Sequence, residues 1–96
     1  MAKIYATKDL YYYPKVIKVF LVNDKYEADL WFYKTKDIHE ADSRDEIWYF
    51  SDDEYSATAM ICWVKDKYDA DVWVYQVRDK YEARWNKGNK FLGRIG

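Results

Sequence analysis

The only imidazole of the chain stands among acids, in His39-Glu40-Ala41-Asp42-Ser43-Arg44-Asp45-Glu46. A histidine beside carboxylates can ligate a metal or exchange a proton. His39, however, occupies a place where tyrosine stands elsewhere in the chain, so it reads as a replacement for a packing ring. Asp42, Asp45, Asp52, Asp53 and Glu54 lack the D-x-D-x-D-G spacing and the late glutamate of a calcium loop. That leaves weak, nonspecific divalent binding at most. Seventeen acids allow many glycosidase-like pairs to be drawn, yet they recur in turns at regular spacing, which marks them as structural. Cys62 lies within the apolar run Ile61-Cys62-Trp63-Val64, where a cysteine behaves as a small hydrophobe. Ser43, Ser51 and Ser56 have no G-x-S-x-G elbow around them, and there is no glycine-rich phosphate loop. The expectation is a protein that is not an enzyme, with no catalytic, cofactor-binding or metal-binding residues and no cofactor.

Aromatic side chains are the remaining candidates. Trp31, Trp48, Trp63, Trp73 and Trp85 stand with eleven tyrosines. Such rings can stack on sugars or bases, at about 1–3 kcal/mol per contact in single-strand nucleic-acid sites. The competing demand is the core, where each ring buries roughly 150–250 Å². Most of them are assigned to core and scaffold. A minority of tyrosines, or one tryptophan, remains as an alternative binding surface for a peptide or a glycan.

The elements that position these rings follow from a repeat. Alanines at Ala28, Ala41, Ala57, Ala70 and Ala83 are spaced 13, 16, 13 and 13 residues apart. Four residues before each stands an aspartate: Asp24, Asp37, Asp53, Asp66 and Asp79. Two residues before each stands a ring: Tyr26, His39, Tyr55, Tyr68 and Tyr81. Eight and nine residues before lie apolar positions, among them Phe20, Tyr33, Tyr49, Cys62 and Tyr75. Each unit is thus an apolar segment followed by a polar D-K-Y-E-A stretch. Runs such as Leu30-Trp31-Phe32-Tyr33 and Val72-Trp73-Val74-Tyr75 are β-branched and aromatic, which suits strands. They also lack the polar gaps of an amphipathic helix.

The connections carry no Asn-Gly or Asp-Gly hairpin signal. Glycine occurs only at Gly88, Gly93 and Gly96. D-K-Y-E-A therefore reads as one helical-type turn, with Asp accepting backbone N–H bonds as it does at caps and Asx turns. Alanine allows close re-entry, and the ring between them is expected to lie over the sheet edge or core. Asn86-Lys87-Gly88-Asn89 is the one ordinary turn signal, predicted to join a strand at Ala83–Trp85 to a last strand at Phe91–Ile95. Both alternating positions of the strands are apolar. Leu30 and Phe32 are expected on one side and Trp31 and Tyr33 on the other, so both sides need cover. A plain β-meander would leave one aromatic face wet.

With 96 residues, half of them hydrophobic, the chain makes one small all-β domain of short strands with repeats of about 13 residues. Its expected divisions are an N-terminal arm or edge strand over 1–14, containing Tyr11-Tyr12-Tyr13-Pro14, a repeat core over 15–85, and a C-terminal hairpin and tail over 86–96. One cysteine excludes a disulfide framework. No apolar run approaches the roughly 20 residues of a membrane span. The first residues lack a signal-peptide pattern, so a cytoplasmic location is expected. Residues 1–22 carry four lysines and one aspartate, 23–82 sixteen acids against eight bases, and 83–96 four bases and no acid. A nucleic-acid patch usually raises the pI above about 9, whereas this pI is ≈ 5.8. No nucleic acid and no membrane are expected as partners.

The recurring KVFLVNDKYEADLWFY, ICWVKDKYDADVWVY and YQVRDKYEARW resemble the small bacterial proteins of the septoil-knot domain family, from about residue 3 to residue 86. The resemblance implies an all-β domain whose backbone forms a torus-type knot with seven crossings, a monomer, and no assigned activity. Resistance to unfolding, mechanical and chemical, is then the property expected to set it apart. True knots are otherwise rare exceptions. Carried over, the repeat aspartates are turn formers and the repeat alanines close-packing points. Two copies depart from the pattern. One has Ile38-His39 for Lys-Tyr and then Ser43-Arg44-Asp45-Glu46, and the next has Ser56 and Thr58 in place of the acids.

Overall fold

A computed structural model describes residues 2–8, 16–37, 39, 44–53, 55–89, 91, 93 and 95. The Tyr11–Pro14 segment and Ala41 lie outside them. The domain is all-β. Its strands are β1 (Ala2–Ala6), β2 (Ile17–Leu21), β3 (Leu30–Lys34), β4 (Ile47–Phe50), β5 (Ala59–Trp63), β6 (Val72–Val77) and β7 (Arg84–Trp85). Three single 3-10 turns, Lys25–Glu27, Lys67–Asp69 and Lys80–Glu82, stand where D-K-Y-E-A or D-K-Y-D-A occurs.

Pairing runs β4-β1-β5-β2-β6-β3, and β3 pairs with β4 in turn, so six strands close into a barrel. All six ring pairings are parallel, and only β7 is antiparallel, against β3. The doubly apolar runs now have their reason. Parallel strands are covered on both faces and read as near-continuous apolar segments.

Parallel neighbours normally need a crossover of a dozen or more residues, yet the link between β2 and β3 spans only 22–29. Register explains how. Leu21 at the end of β2 and Leu30 at the start of β3 both pair with Val74 of β6, one on each side. The chain has only to step over one strand. The same device recurs three times. Ala6 and Ile17 flank Ile61, Phe50 and Ala59 flank Ile4, and Trp63 and Val72 flank Val19. Such steep stagger is the closure condition of a narrow barrel. The chain thus advances round the ring in one direction, skipping β5, then β6, then none, then β1, then β2.

The residue after the repeat alanine fastens three of these four steps to the strand beneath. Asp29 N–H donates to the Trp73 carbonyl (2.7 Å), and Asp29 Oδ2 accepts from Trp73 N–H (3.0 Å). Asp71 grips Lys18 in the same way, at 2.7 and 3.0 Å. Thr58 grips Lys3 at 2.8 and 3.0 Å, through its hydroxyl. Thr58 departs from the acidic pattern, but its oxygen accepts the same bond.

Inside the barrel lie Ala2, Ile4, Ile17, Val19, Leu30, Phe32, Trp48, Ala59, Ile61, Val72 and Val74. Outside, a second cluster of Val22, Ala28, Trp31, Ile47, Val77 and Ala83 packs with Phe20, Tyr33, Tyr49, Trp73 and Tyr75 beneath the links. Leu30 and Phe32 therefore face one side and Trp31 and Tyr33 the other.

Two expectations need correction. The N-terminal segment is no arm or edge strand over residues 2–6, because β1 has β4 on one side and β5 on the other. No strand follows the Asn86–Asn89 turn among the described residues. The tail instead crosses the end of the barrel where the strands begin. Ile95, 1% exposed, joins the interior cluster with Phe91 packed beside it. An apolar segment seals an open barrel end better than it pairs on the outside, where the links already occupy the surface. Asp45 holds this tail, as its carboxylate accepts from the backbone N–H groups of Gly93 and Ile95 (3.1 Å for Ile95) and from Trp85 Nε1 (3.1 Å). Thr58 Oγ1 donates to the Ile95 carbonyl at 2.9 Å.

Candidate functional site

The repeat positions do not converge on one site. Asp24, Asp66 and Asp79 cap their turns, each Oδ1 accepting from the N–H two residues on, at 2.9–3.0 Å. Asp37 and Asp53 accept likewise from His39 and Tyr55, at 2.9 and 3.0 Å. The backbone N–H groups of Ala28, Ala70 and Ala83 close the turns onto Lys25, Lys67 and Lys80. Ala28 and Ala83 are buried, while Ala57 and Ala70 are half-buried. The rings between them do not lie over the sheet. Tyr26, Tyr55, Tyr68 and Tyr81 are 68–91% exposed, and His39 is exposed too. Beside Tyr26 and Tyr68 the core place is taken by the tryptophan of the next strand, Trp31 and Trp73. Lys25 Nζ lies 5.4 Å from the Tyr26 ring and 5.3 Å from Trp31, and Lys67 stands between Tyr68 and Trp73 at 5.4 Å from each. Lysine stems and cation–π attraction keep these tyrosines at the surface.

Among the described residues of the His39 region no acid–base pair forms. Arg44 and Glu46 form an exposed ion pair at 2.8 Å, and Asp45 is committed to the tail. Among the described residues no three His, Cys, Asp or Glu side chains gather as a metal site requires. Cys62 is buried, and no helix is long and apolar enough to cross a membrane.

One concavity stands out, at the end of the barrel opposite the tail. Side chains alternate along a strand, so the inward residue two places beyond Ile4, Val19, Phe32, Trp48, Ile61 and Val74 is Ala6, Leu21, Lys34, Phe50, Trp63 and Gln76. These six, one from every ring strand, line a cup of about 490 Å³ together with Phe32. Phe32 stacks on the buried Trp48 with ring centroids 4.1 Å apart, and the Trp63 ring lies 6.4 Å from Phe32 and 6.5 Å from Trp48. Leu21 is 49% and Trp63 41% exposed, whereas Trp31 is 9% and Trp48 0% exposed.

The indoles divide accordingly. The N–H groups of Trp31, Trp48 and Trp73 donate to the carbonyls of Lys25, Asp45 and Lys67 at 2.6–2.8 Å, and that of Trp85 to the Asp45 carboxylate. Trp63 alone has no acceptor among the described residues. Lys34 Nζ sits 5.3 Å from the Phe50 ring and has no carboxylate partner among the described residues. Among the described residues the Gln76 side chain has no hydrogen-bond partner either.

Reading for aromatic surface reached Trp63 as one ring among five and missed Lys34 and Gln76. A signal was present. Seven residues before each repeat alanine stand Leu21, Lys34, Phe50, Trp63 and Gln76, the one inward place whose chemistry varies while its neighbours stay apolar.

Comparison with known proteins gives one family. The model described as the 7(1) septoil knot domain matches residues 1–86. No curated protein and no solved structure matches the chain. The tail that seals the far end of the barrel lies beyond the matched residues.

Proposed function

The chain belongs to the 7(1) septoil knot domain family, and on that premise we propose that it is a non-enzymatic binding module whose ligand seats in the open barrel mouth. The observation that carries this reading is the half-exposed Trp63 over a floor of Phe32, in a cup to which every ring strand contributes one side chain. Ligand sites are typically preformed, mostly apolar hollows of about 300–1,000 Å³ with a few polar groups. In parallel barrels they collect where the strands end. The module works as a monomer in the cytoplasm, without nucleic acid or membrane, in keeping with its acidic pI.

Titration with 2-naphthol, read by the ¹H–¹⁵N signals of the five indoles, tests it. The Trp63 indole and the Gln76 amide signals shift together, with affinity of about millimolar or better, while Trp31 and Trp73 stay still. Shifts spread over the exposed tyrosines, or none at all, would remove the mouth as a site.

A second reading rests on the winding. Links that step outside the strands they skip, in a ring with no gap, support a knotted domain that opens slowly. Small domains unfold with rate constants from about 10 to 10⁻⁶ s⁻¹. This one belongs at the slow end, with refolding no faster than seconds because its contacts are non-local. Denaturant-jump fluorescence measures both, and unfolding within a second in water would sink the idea.

A further inference from the structure

We infer that the ligand of the mouth is a small aromatic or alicyclic carboxylate, its ring over Phe32 and Trp63 and its carboxylate on Lys34. This rests on the mouth being a binding site. The argument starts from the six inward positions at that level. Four are apolar, as interior places of a barrel should be, and two, Lys34 and Gln76, are not. Lys34 stands exposed at the rim of the cup, where water solvates its charge. Among the described residues its ammonium lies 5.3 Å from the face of Phe50, an attraction worth about 0.5–1 kcal/mol at an exposed site.

Three polar groups of the cup face water and have no hydrogen-bond partner among the described residues: the Lys34 ammonium, the Trp63 indole N–H and the Gln76 amide. The first two can only donate. Such a set selects an acceptor, and the ammonium selects one that is negatively charged. The aromatic faces would by themselves suit a cation. That place is already taken by Lys34, which repels a second positive charge. What remains is a ligand with one flat apolar body and one anionic oxygen group, of a size that a cup of about 490 Å³ encloses.

Calorimetric titration with three bodies of the same shape decides it: 2-naphthoate, neutral 2-naphthol and cationic 2-naphthylmethylammonium. 2-Naphthoate binds roughly five- to tenfold more tightly than 2-naphthol, and the ammonium compound most weakly. In Lys34→Met, folded by circular dichroism, the preference for naphthoate over naphthol disappears while naphthol binding holds. Equal or tighter binding of the neutral or cationic compound to the native chain, or an unchanged preference in Lys34→Met, overturns the carboxylate assignment and leaves the mouth standing. Absence of all three from the mouth overturns both.

Discussion

Trp48→Ala lowers the stability of the domain by about 3–5 kcal/mol, toward the upper end of that range. Trp48 is completely buried, stacks on Phe32 at 4.1 Å, and donates its indole N–H to the Asp45 carbonyl at 2.6 Å. Its removal deletes the largest interior side chain and opens a hole below the mouth. Six strands locked into a closed ring cannot move in to fill that hole. It also takes the indole from the Asp45 carbonyl, a loss that costs roughly 1 kcal/mol or more when water cannot enter. For a domain of this size each kcal/mol corresponds to about 4–8 °C, so the melting temperature falls by about 12–40 °C. Trp48→Phe keeps most of the stack and loses the hydrogen bond, and its cost stays near 1–2 kcal/mol. Calorimetry on both variants separates packing from polar loss. A fall below 5 °C in Trp48→Ala would mean that the interior is not built around this ring.

Asp45→Ala has a comparable effect for a different reason, about 3–5 kcal/mol, at roughly 1–3 kcal/mol for each buried donor left unsatisfied. One buried carboxylate gathers two backbone N–H groups of the tail and the Trp85 indole, so its removal strands three donors at once. Asp45→Asn retains one acceptor oxygen and turns an amide donor toward the others, at an intermediate cost. Denaturant titration gives the size of the loss. Hydrogen exchange at Gly93 and Ile95 tells where it falls, because both amides exchange freely once the tail is released. A loss under 1 kcal/mol with those amides still protected would show that the tail is held by Phe91 and Ile95 packing alone.

Strand positions were readable because β-branched and aromatic runs leave few alternatives, and D-K-Y-E-A disclosed its turn because an aspartate two residues ahead of an N–H has one obvious partner. The need for cover on both faces was legible from Leu30 to Tyr33. Strand order was not. An apolar pattern reports that Val74 is buried, and nothing in it says that Leu21 and Leu30 will sit on its two sides. The grip of Asp29 and Asp71 was hidden for the same reason, since their partners lie 44 and 53 residues away. The tyrosines were misjudged because a ring in an apolar-rich repeat was assumed to need burial, while the lysine beside it supplies enough apolar stem to leave it wet. Asp45 looked like part of an acidic surface run. Its role appears only when the tail returns to the start of β4.

The closed ring has a further consequence for the behaviour of the chain in concentrated solution. Every ring strand has a partner on each side, and β7 pairs with the stretch of β3 that β4 leaves uncovered. A row of unpaired backbone groups is the template on which foreign chains dock to build fibrils. The ring strands present no such row and β7 offers only a two-residue edge, although their sequences, aromatic and low in glycine and proline, are of the kind that stacks into amyloid. Fibril growth must therefore wait for the ring to unfasten, which ties the shelf life of the native protein to its opening rate rather than to its surface.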